Sequence, residues 1–242
     1  MKIRIIVPIN HSTFNDEALR EFKQYASPGT EISVANISDG PRSIESEYEE
    51  AISVPGILTL LEQAERDGCD AAISDCFGDP GVRPGRELVG IPVIGPAEAS
   101  FLLAAGLGHR FSVVTVLKSV VPMIDRLIEA AGVSSRLASI RTIEIPVLGL
   151  TDIDAMKKAL YREMVLAIQE DEAHVLVLGC TGMMGVAEDL QNQLHAAGYA
   201  VPVVSPTAAA VLLAETLVRL GLRHSRLTYT QPKDVATRVA AR

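Results

Sequence analysis

The chain alternates between short runs of Val, Ile and Leu and longer segments in which apolar residues recur every three or four positions. The short runs are continuous rather than alternating with polar residues, as in parallel strands that are covered on both faces. They predict strands at residues 3–7, 31–37, 71–75, 92–94, 111–116, 140–145, 175–178 and 201–204. This alternation of strands and helices favours an α/β fold.

The longer segments have the spacing of helices that bury one face. They predict helices at residues 16–26, 44–66, 97–107, 119–131, 153–170, 186–197 and 207–220. Glycine follows several of these segments, as is common where a helix ends. Because proline interrupts helices, Pro55 is expected to divide segment 44–66 into two pieces.

The same order of elements occurs twice, in residues 3–100 and again in residues 111–210. The third strand of each half ends in a cysteine, Cys76 or Cys180, and a glycine-containing stretch follows each one. We therefore expect two pseudo-symmetric lobes, each with a mostly parallel four-stranded sheet. Ligands of such sheets bind beyond the carboxyl ends of the strands, which right-handed crossovers bring to one edge. Two facing edges would form a cleft that holds both thiols.

Composition narrows the class of protein. Of the 242 residues, 48% are hydrophobic and 21% are charged, as in a globular chain with a sizeable core. The formal net charge is -8, and the basic residues form no stripe interleaved with aromatic residues, so nucleic acid is not an expected partner. The sequence has no signal-peptide pattern and no apolar stretch of membrane-spanning length. We therefore expect a cytoplasmic protein that does not associate with a membrane.

The three cysteines are expected to be free thiols, because disulfides are rare in cytoplasmic proteins. Cys69 lies between a predicted helix and a strand and is interpreted as a packing residue. The sequence has no C-x-x-C motif, and its five histidines show no ligand spacing, so no metal site is expected. Taken singly, Cys76 and Cys180 are typical buried strand-end residues, but their repeated context favours a functional role.

Two thiols that face one cleft are suited to moving a proton onto and off both faces of one carbon. A helix N-terminus or main-chain amides beside a thiol lower its pKa, and helical patterns follow both glycine-containing stretches. One thiolate would remove a proton while the opposing thiol donates one, which racemises the carbon. The amides would also stabilise an enolate oxygen.

At these residues the chain resembles the aspartate/glutamate racemase superfamily, and within it the hydantoin and allantoin racemases. The likeness spans almost the whole chain. The matching segments are residues 41–45 (PRSIE), 76–81 (CFGDPG), 110–115 (RFSVVT), 178–183 (LGCTGM), 202–204 (PVV) and 220–222 (LGL). The pair of cysteine motifs is specific for the superfamily, and the first motif is more specific for the hydantoin branch.

The resemblance implies two flavodoxin-like lobes with the active site between them. We expect lobe 1 to comprise residues 1–100 plus about 206–242, and lobe 2 about 101–205. The resemblance also implies a homo-oligomeric racemase that needs no cofactor and uses Cys76 and Cys180 as its two acid/base groups. Its substrates would be 5-substituted hydantoins or allantoin, whose C5 proton is flanked by a carbonyl and a ring nitrogen.

Seven further residues are candidates for binding a hydantoin-like ring. They lie at strand ends or beside the cysteines: Asn10, Ser12, Phe77, Gly78, Thr115, Thr181 and Gly182. The loop after the first strand departs from the Asn-Pro-Asn-Thr/Ser pattern of the hydantoin branch, which leaves the register of Asn10 and Ser12 open. Asp75 and Asp79 flank Cys76, and we interpret both as structural residues.

Other functions stay open at this point. An aspartate or glutamate racemase would need a cation for the α-carboxylate, and the strand ends offer no obvious arginine. A decarboxylase of the same superfamily commonly needs only one of the two cysteines. A non-catalytic ligand-binding module would need neither thiol to be reactive. The polar and basic segment 224–242 is expected to form a partly ordered strap.

Overall fold

The computed structural model describes residues 1–233, which form two parallel four-stranded sheets. The first half contains β1 Lys2–Val7, α1 Asn15–Tyr25, β2 Glu31–Asn36, α2 Glu47–Arg66, β3 Ala71–Ser74, α3 Val82–Leu88, β4 Val93–Ile94 and α4 Pro96–Leu107. The second half contains β5 Phe111–Thr115, α5 Val121–Ala130, β6 Leu137–Thr142, α6 Ile153–Asp171, β7 Val175–Leu178, α7 Ala187–Ala196, β8 Val203–Val204 and α8 Pro206–Arg219. This confirms the predicted α/β fold.

The two sheets have the same topology. Their strand orders are β2-β1-β3-β4 and β6-β5-β7-β8, and every pairing is parallel. Strands β3 and β7, which precede the two cysteines, are buried along their whole length. Their apolar side chains therefore fix the position of each cysteine at the carboxyl end of its sheet.

The last helix of each half packs on the sheet of the other half. Helix α4 contacts β7 and β8, whereas α8 contacts β3 and β4, and the two helices also contact each other. Phe101 of α4 lies between Phe77 and Phe111, with ring centroids 5.5 Å and 5.9 Å away. These contacts join the lobes in one core, and the predicted division near 101 and 206 stays a prediction. Residues 234–242 of the predicted first lobe lie outside the described part.

The predicted break at Pro55 is wrong, because α2 is continuous from Glu47 to Arg66. Proline cannot donate to the carbonyl of Ala51 one turn earlier, but both residues are exposed, so water can bind that carbonyl. The buried face contains Ser53, Ile57 and Leu61 at helical spacing. Packing of this face on the sheet outweighs the local cost of the proline.

Two other elements differ from the sequence prediction. Strand β6 begins at Leu137 and ends at Thr142, earlier than predicted, and all its residues are only half-buried at the edge of the sheet. Helix α3 was not among the predicted segments, because Pro84 and Gly85 weaken its helical pattern. Glycine fits closely there, since a Cβ atom at position 85 would displace the Leu61 Cδ1 atom.

The chain after α8 crosses the outer side of α3 and β4. Arg226 donates to the carbonyls of Arg86 (2.9 Å) and Val89 (2.6 Å). The Val93 N–H group donates to Nε2 of His224 (3.0 Å). The described portion of the predicted strap is thus ordered against the first lobe, and its residues 234–242 lie outside the described part. None of the helices within residues 1–233 has the length and apolar character needed to cross a membrane.

Candidate active site

Cys76 and Cys180 line the same cavity, which lies between the ends of β3 and β7. This cavity has a volume of about 70 Å³, and most of its lining is apolar. An adjoining cavity of about 30 Å³ is also lined by both cysteines. All three cysteines are free thiols, and Cys69 is buried elsewhere, in the core beside α2. The fold therefore brings together the two cysteines that the repeat singled out.

The two sulfur atoms have equivalent main-chain partners. The Gly78 N–H group donates to Sγ of Cys76, and the Gly182 N–H group donates to Sγ of Cys180, each at 3.4 Å. In both cases the donor is the glycine two residues after the cysteine. Each hydrogen bond favours the charged form of its sulfur.

The expected helix N-termini lie too far along the chain to activate the thiols directly. Helix α3 begins at Val82 and α7 at Ala187, so a loop separates each cysteine from the helix that follows it. In the unliganded cavity, burial raises the pKa of Cys180 to about 12, and the Gly182 hydrogen bond opposes this only in part. Burial also raises the pKa of Cys76 well above its ordinary value. Both sulfurs are therefore protonated thiols at neutral pH.

Thr115 and Gly179 hold the end of β7 close to β5. The Thr115 hydroxyl is fully buried and donates to the Gly179 carbonyl at 2.8 Å. A Cβ atom at Gly179 would lie 2.7 Å from the Thr115 Cβ atom, so only glycine allows this approach. Thr115 also lines the smaller cavity, and it positions the residue that precedes Cys180.

Three hydrogen bonds cross between the lobes around the cavity. The Thr181 hydroxyl donates to the Asp75 carbonyl (3.3 Å), and the Val147 N–H group donates to Glu45 (2.8 Å). The Gly185 N–H group donates to Oε2 of Glu21 (2.7 Å). Because these bonds join the loops that surround the thiols, the relative position of Cys76 and Cys180 depends on how the lobes pack.

Glu21 and Asp75 are acidic residues close to the cavity. Burial raises the pKa of each carboxyl group to about 7, and the Asp75 charge raises that of Glu21 further. The Thr181 hydroxyl lowers the pKa of Asp75, which only partly offsets the burial. Within residues 1–233, however, Oδ1 of Asp75 is buried and has no hydrogen-bond partner. The side chain thus does not simply cap the next turn, as a purely structural role would suggest.

Asp79 has a structural contact that the sequence left unspecified. Its carboxylate accepts hydrogen bonds from the N–H groups of Ala97 and Glu98, both at 2.9 Å, and so caps the start of α4. A Cβ atom at Gly95 would lie 2.2 Å from the Asp79 side chain, so glycine is needed beside it. Asp79 thereby ties the loop after Cys76 to the helix that packs on the second sheet.

The candidate binding residues are placed unevenly. Phe77, Gly78, Thr115, Thr181 and Gly182 line one or both thiol cavities. Asn10 and Ser12 are exposed and lie outside both linings, and the Asn10 side chain donates to the Gly40 carbonyl at 2.7 Å. The cavity instead uses residues that the sequence did not single out: Pro8, Ile9, Phe14, Ile44, Val147 and Met184. Their apolar character marks them equally well as core residues, so no sequence signal distinguishes them.

No group of acidic, histidine or cysteine side chains within residues 1–233 has the arrangement of a metal site. The cavity is suited instead to an uncharged ring. Its mainly apolar lining includes two cysteines and one aspartate. In the described chain, the N–H groups of Phe77 and Thr181 donate to no other residue. One such free donor therefore follows each cysteine directly.

The sequence is similar to those of known racemases over almost its whole length. A family model described as Asp/Glu/Hydantoin racemase matches residues 13–214. The chain is 38% identical over 235 residues to a protein of Pseudomonas sp. (strain NS671) named hydantoin racemase. This alignment covers 96% of the chain and 92% of that protein.

Two solved structures have closely similar folds. The allantoin racemase from Klebsiella pneumoniae superimposes with a TM-score of 0.90 at 33% identity, covering 96% of this chain and 94% of that one. The allantoin racemase from Pseudomonas fluorescens also gives a TM-score of 0.90, at 35% identity and with coverages of 96% and 97%.

Proposed function

The chain belongs to the Asp/Glu/hydantoin racemase family, and we propose that it racemises 5-substituted hydantoins or allantoin by proton transfer between Cys76 and Cys180. The observation that carries this proposal is the equivalent placement of the two sulfurs. Each follows the third strand of its sheet, lines the same cavity and accepts a main-chain N–H group two residues later. This equivalence is what a reaction on two opposite faces of one carbon requires.

In the proposed reaction, one cysteine acts as a thiolate and the other as a thiol. The thiolate takes the C5 proton, and the electron pair of the C–H bond is delocalised onto the adjacent carbonyl as an enolate. The opposing thiol then donates its proton to the other face of C5 and becomes the thiolate. The net change is inversion at C5 and transfer of one proton between the sulfurs, so the reverse reaction starts from the product state. No cofactor takes part in this sequence.

The enolate needs hydrogen-bond donors, and we assign this role to the N–H groups of Phe77 and Thr181. Both are free in the described chain, and both stand directly after a cysteine. Donors that are already oriented stabilise developing charge strongly in an apolar site. Because both thiols are protonated without ligand, one of them must release its proton to solvent before the reaction starts. The donors then stabilise the enolate that forms when this thiolate takes the C5 proton.

Space for the C5 substituent lies next to the thiol cavity. A neighbouring cavity of about 270 Å³ shares Phe14, Gly182 and Met184 with it. Its remaining lining mixes apolar residues, such as Leu150, with charged ones, such as Arg20. We propose that the ring occupies the thiol cavity and the substituent extends into this neighbouring space.

A free amino acid fits the cavity less well. Within the described residues, neither thiol cavity has an arginine or lysine in its lining, and the one charged residue is Asp75. An α-carboxylate would therefore face an acidic side chain without a counter-charge. An uncharged ring meets no such repulsion, which favours hydantoins over aspartate or glutamate.

The proposal is tested in deuterated buffer with the single variants Cys76→Ser and Cys180→Ser. In each variant the rate of racemisation of D- and L-hydantoins should fall by at least about a thousandfold. The remaining cysteine should still exchange the C5 proton of one enantiomer. Cys69→Ser is the matched control, because it removes the third thiol without touching the cavity. Full racemisation by either cavity variant would overturn the two-base mechanism. Absence of both racemisation and exchange in the unmodified protein would favour a binding module.

A further inference from the structure

Asp75 is the one charged residue in the lining of the thiol cavity among the described residues. Its main chain is fully occupied: its N–H group donates to Ile6 (2.8 Å), and its carbonyl accepts from Thr181 (3.3 Å). In its side chain, Oδ1 is buried and has no hydrogen-bond partner in the described chain. The main-chain bonds fix the residue at the end of β3, and this buried oxygen is left without a donor.

Other acidic side chains near the cavity have hydrogen-bond donors, whereas Oδ1 of Asp75 has none in the described chain. Asp79 accepts two N–H groups of α4, Glu45 accepts Val147, and Glu21 accepts Gly185. A buried oxygen without a partner destabilises the protein, because it has lost its hydration without replacing it. Because Asp75 lines the thiol cavity, a ligand bound there could bring the missing donor to this buried oxygen.

We propose that Oδ1 of Asp75 accepts a hydrogen bond from a ring N–H group of the substrate, and so selects cyclic ureides and amides that carry this group. The inference rests on the function proposed above and adds a recognition contact to it. A hydantoin has two ring N–H groups, one of which is bonded to the carbon that exchanges its proton. Asp75 and Cys76 both line the thiol cavity, and the Asp75 charge acts on the Cys76 thiol, so a ring held by Asp75 lies in the cavity of the sulfur that would face that carbon.

The contact also has an electrostatic consequence for the reaction. The Asp75 charge raises the pKa of both Cys76 and Cys180. A bound N–H group would favour the charged form of the carboxyl group, so the contact orients the ring and does not itself favour a thiolate. Asp75 would act as a positioning residue rather than as an acid or base.

The test uses ligands that bind but cannot react. 5,5-Dimethylhydantoin has no C5 proton, so its dissociation constant, measured by titration calorimetry, is independent of turnover. It is compared with its 1-methyl and 3-methyl derivatives, each of which lacks one N–H group. In the unmodified protein, methylation of the contacted nitrogen should weaken binding about tenfold to a hundredfold, the range expected for a hydrogen bond to a charged group.

The variants Asp75→Ala and Asp75→Asn identify the acceptor. In Asp75→Ala, all three ligands should bind alike within about threefold, whereas Asp75→Asn should restore part of the discrimination through its amide oxygen. Asp125→Asn is the matched control, since it removes one carboxylate from the exposed face of α5. A purely structural role for Asp75 would weaken the binding of all three ligands by the same factor.

Two results would overturn the inference. One is equal binding of all three ligands by the unmodified protein, and the other is unchanged discrimination in Asp75→Ala. If hydantoins are racemised but no discrimination exists, only this inference fails. If discrimination exists without racemisation, the recognition contact stands and the two-base reaction fails.

Discussion

The Thr181 hydroxyl donates a hydrogen bond of 3.3 Å to the main-chain carbonyl of Asp75. The donor directly follows one cavity cysteine, and the acceptor directly precedes the other. This bond therefore connects the two thiol loops across the boundary between the lobes. Contacts of this kind help to set the distance between the sulfurs, together with α4, whose Phe101 packs on the cavity residue Phe77.

We expect Thr181→Val to weaken catalysis more than stability. The variant keeps the shape of the side chain but loses the hydroxyl, so the loops lose their direct bond. The rate of hydantoin racemisation, as kcat/KM, should fall at least about tenfold, because small displacements of reacting groups are costly. The free energy of unfolding should fall by only about 1 kcal/mol.

Thr216→Val provides the control for this prediction. Its hydroxyl donates to the Leu212 carbonyl within α8 at 2.8 Å, far from the thiols. This variant should change stability to a similar extent and leave kcat/KM within about twofold. Equal kinetic effects of the two substitutions would contradict a role of Thr181 in holding the loops.

The raised thiol pKa values predict slow alkylation of the cavity cysteines at neutral pH. Burial raises the pKa of Cys180 to about 12, so its thiolate fraction should increase about tenfold per pH unit up to at least pH 10. Iodoacetamide modification of Cys69→Ser/Cys76→Ser, which retains only Cys180, should follow this slope. A plateau near pH 7 would show instead that the thiolate is already formed in the free protein.

Glu21 should make the stability depend on pH. Burial raises the pKa of Glu21 in the folded protein to about 7 from an ordinary value of 4.5. Its contribution to the free energy of unfolding is therefore fully present below pH 4.5 and is lost as the pH rises through 7. Glu21→Gln keeps an oxygen for the Gly185 N–H group but cannot ionise. By urea unfolding, this variant should match the unmodified protein at pH 4 and exceed its stability at pH 8 by no more than about 3 kcal/mol.

The exposed Glu17 on the same helix is the control for Glu21. Glu17→Gln should change the free energy of unfolding by less than about 0.5 kcal/mol at either pH. If Glu21→Gln were less stable than the unmodified protein at pH 8, the hydrogen bond to Gly185 would require a charged acceptor, contrary to this prediction.

His224 should release the C-terminal strap from the first lobe in acid. Burial lowers its pKa to about 4, and the charges of Arg86 and Arg226 lower it further, while Glu98 acts in the opposite direction. Only the neutral Nε2 atom can accept a hydrogen bond from the Val93 N–H group. The stabilisation of the strap by this bond is therefore fully present above pH 6.5 and is lost as the pH falls through 4. Hydrogen exchange of the Val93 amide, corrected for the intrinsic rate, should lose protection over that range.

The second lobe contains a matched internal control. The Val203 N–H group of β8 donates to the Gln191 side chain at 2.9 Å, in the position that corresponds to Val93 and His224. Glutamine does not titrate, so protection of Val203 should not change between pH 6.5 and 4 through this contact. A parallel loss at both amides would indicate general unfolding rather than release of the strap.

Most strands could be predicted from the sequence, because a continuous run of apolar residues is typical of a buried parallel strand. Strands β3 and β7 were found from continuous Val, Ile and Leu positions, and the cysteines at their ends revealed the repeat. The family membership, and with it an isomerase, was confirmed by the comparisons. Helix α3 and the continuity of α2 across Pro55 were not predicted, because packing overrode local propensity in both.

The sequence by itself determined which residues form the strands and that two thiols follow equivalent ones, because hydrophobic periodicity is a property of neighbours along the chain. Only the tertiary structure decided that Asn10 and Ser12 lie outside the thiol cavities, that Gly78 and Gly182 donate to the sulfurs, and that Oδ1 of Asp75 has no partner in the described chain. The hydrogen bonds to the sulfurs depend on the conformation of each loop, because donor and acceptor are two residues apart. The cavity lining and the burial of the thiols depend on how segments about a hundred residues apart pack against each other. No local pattern of the sequence encodes either property.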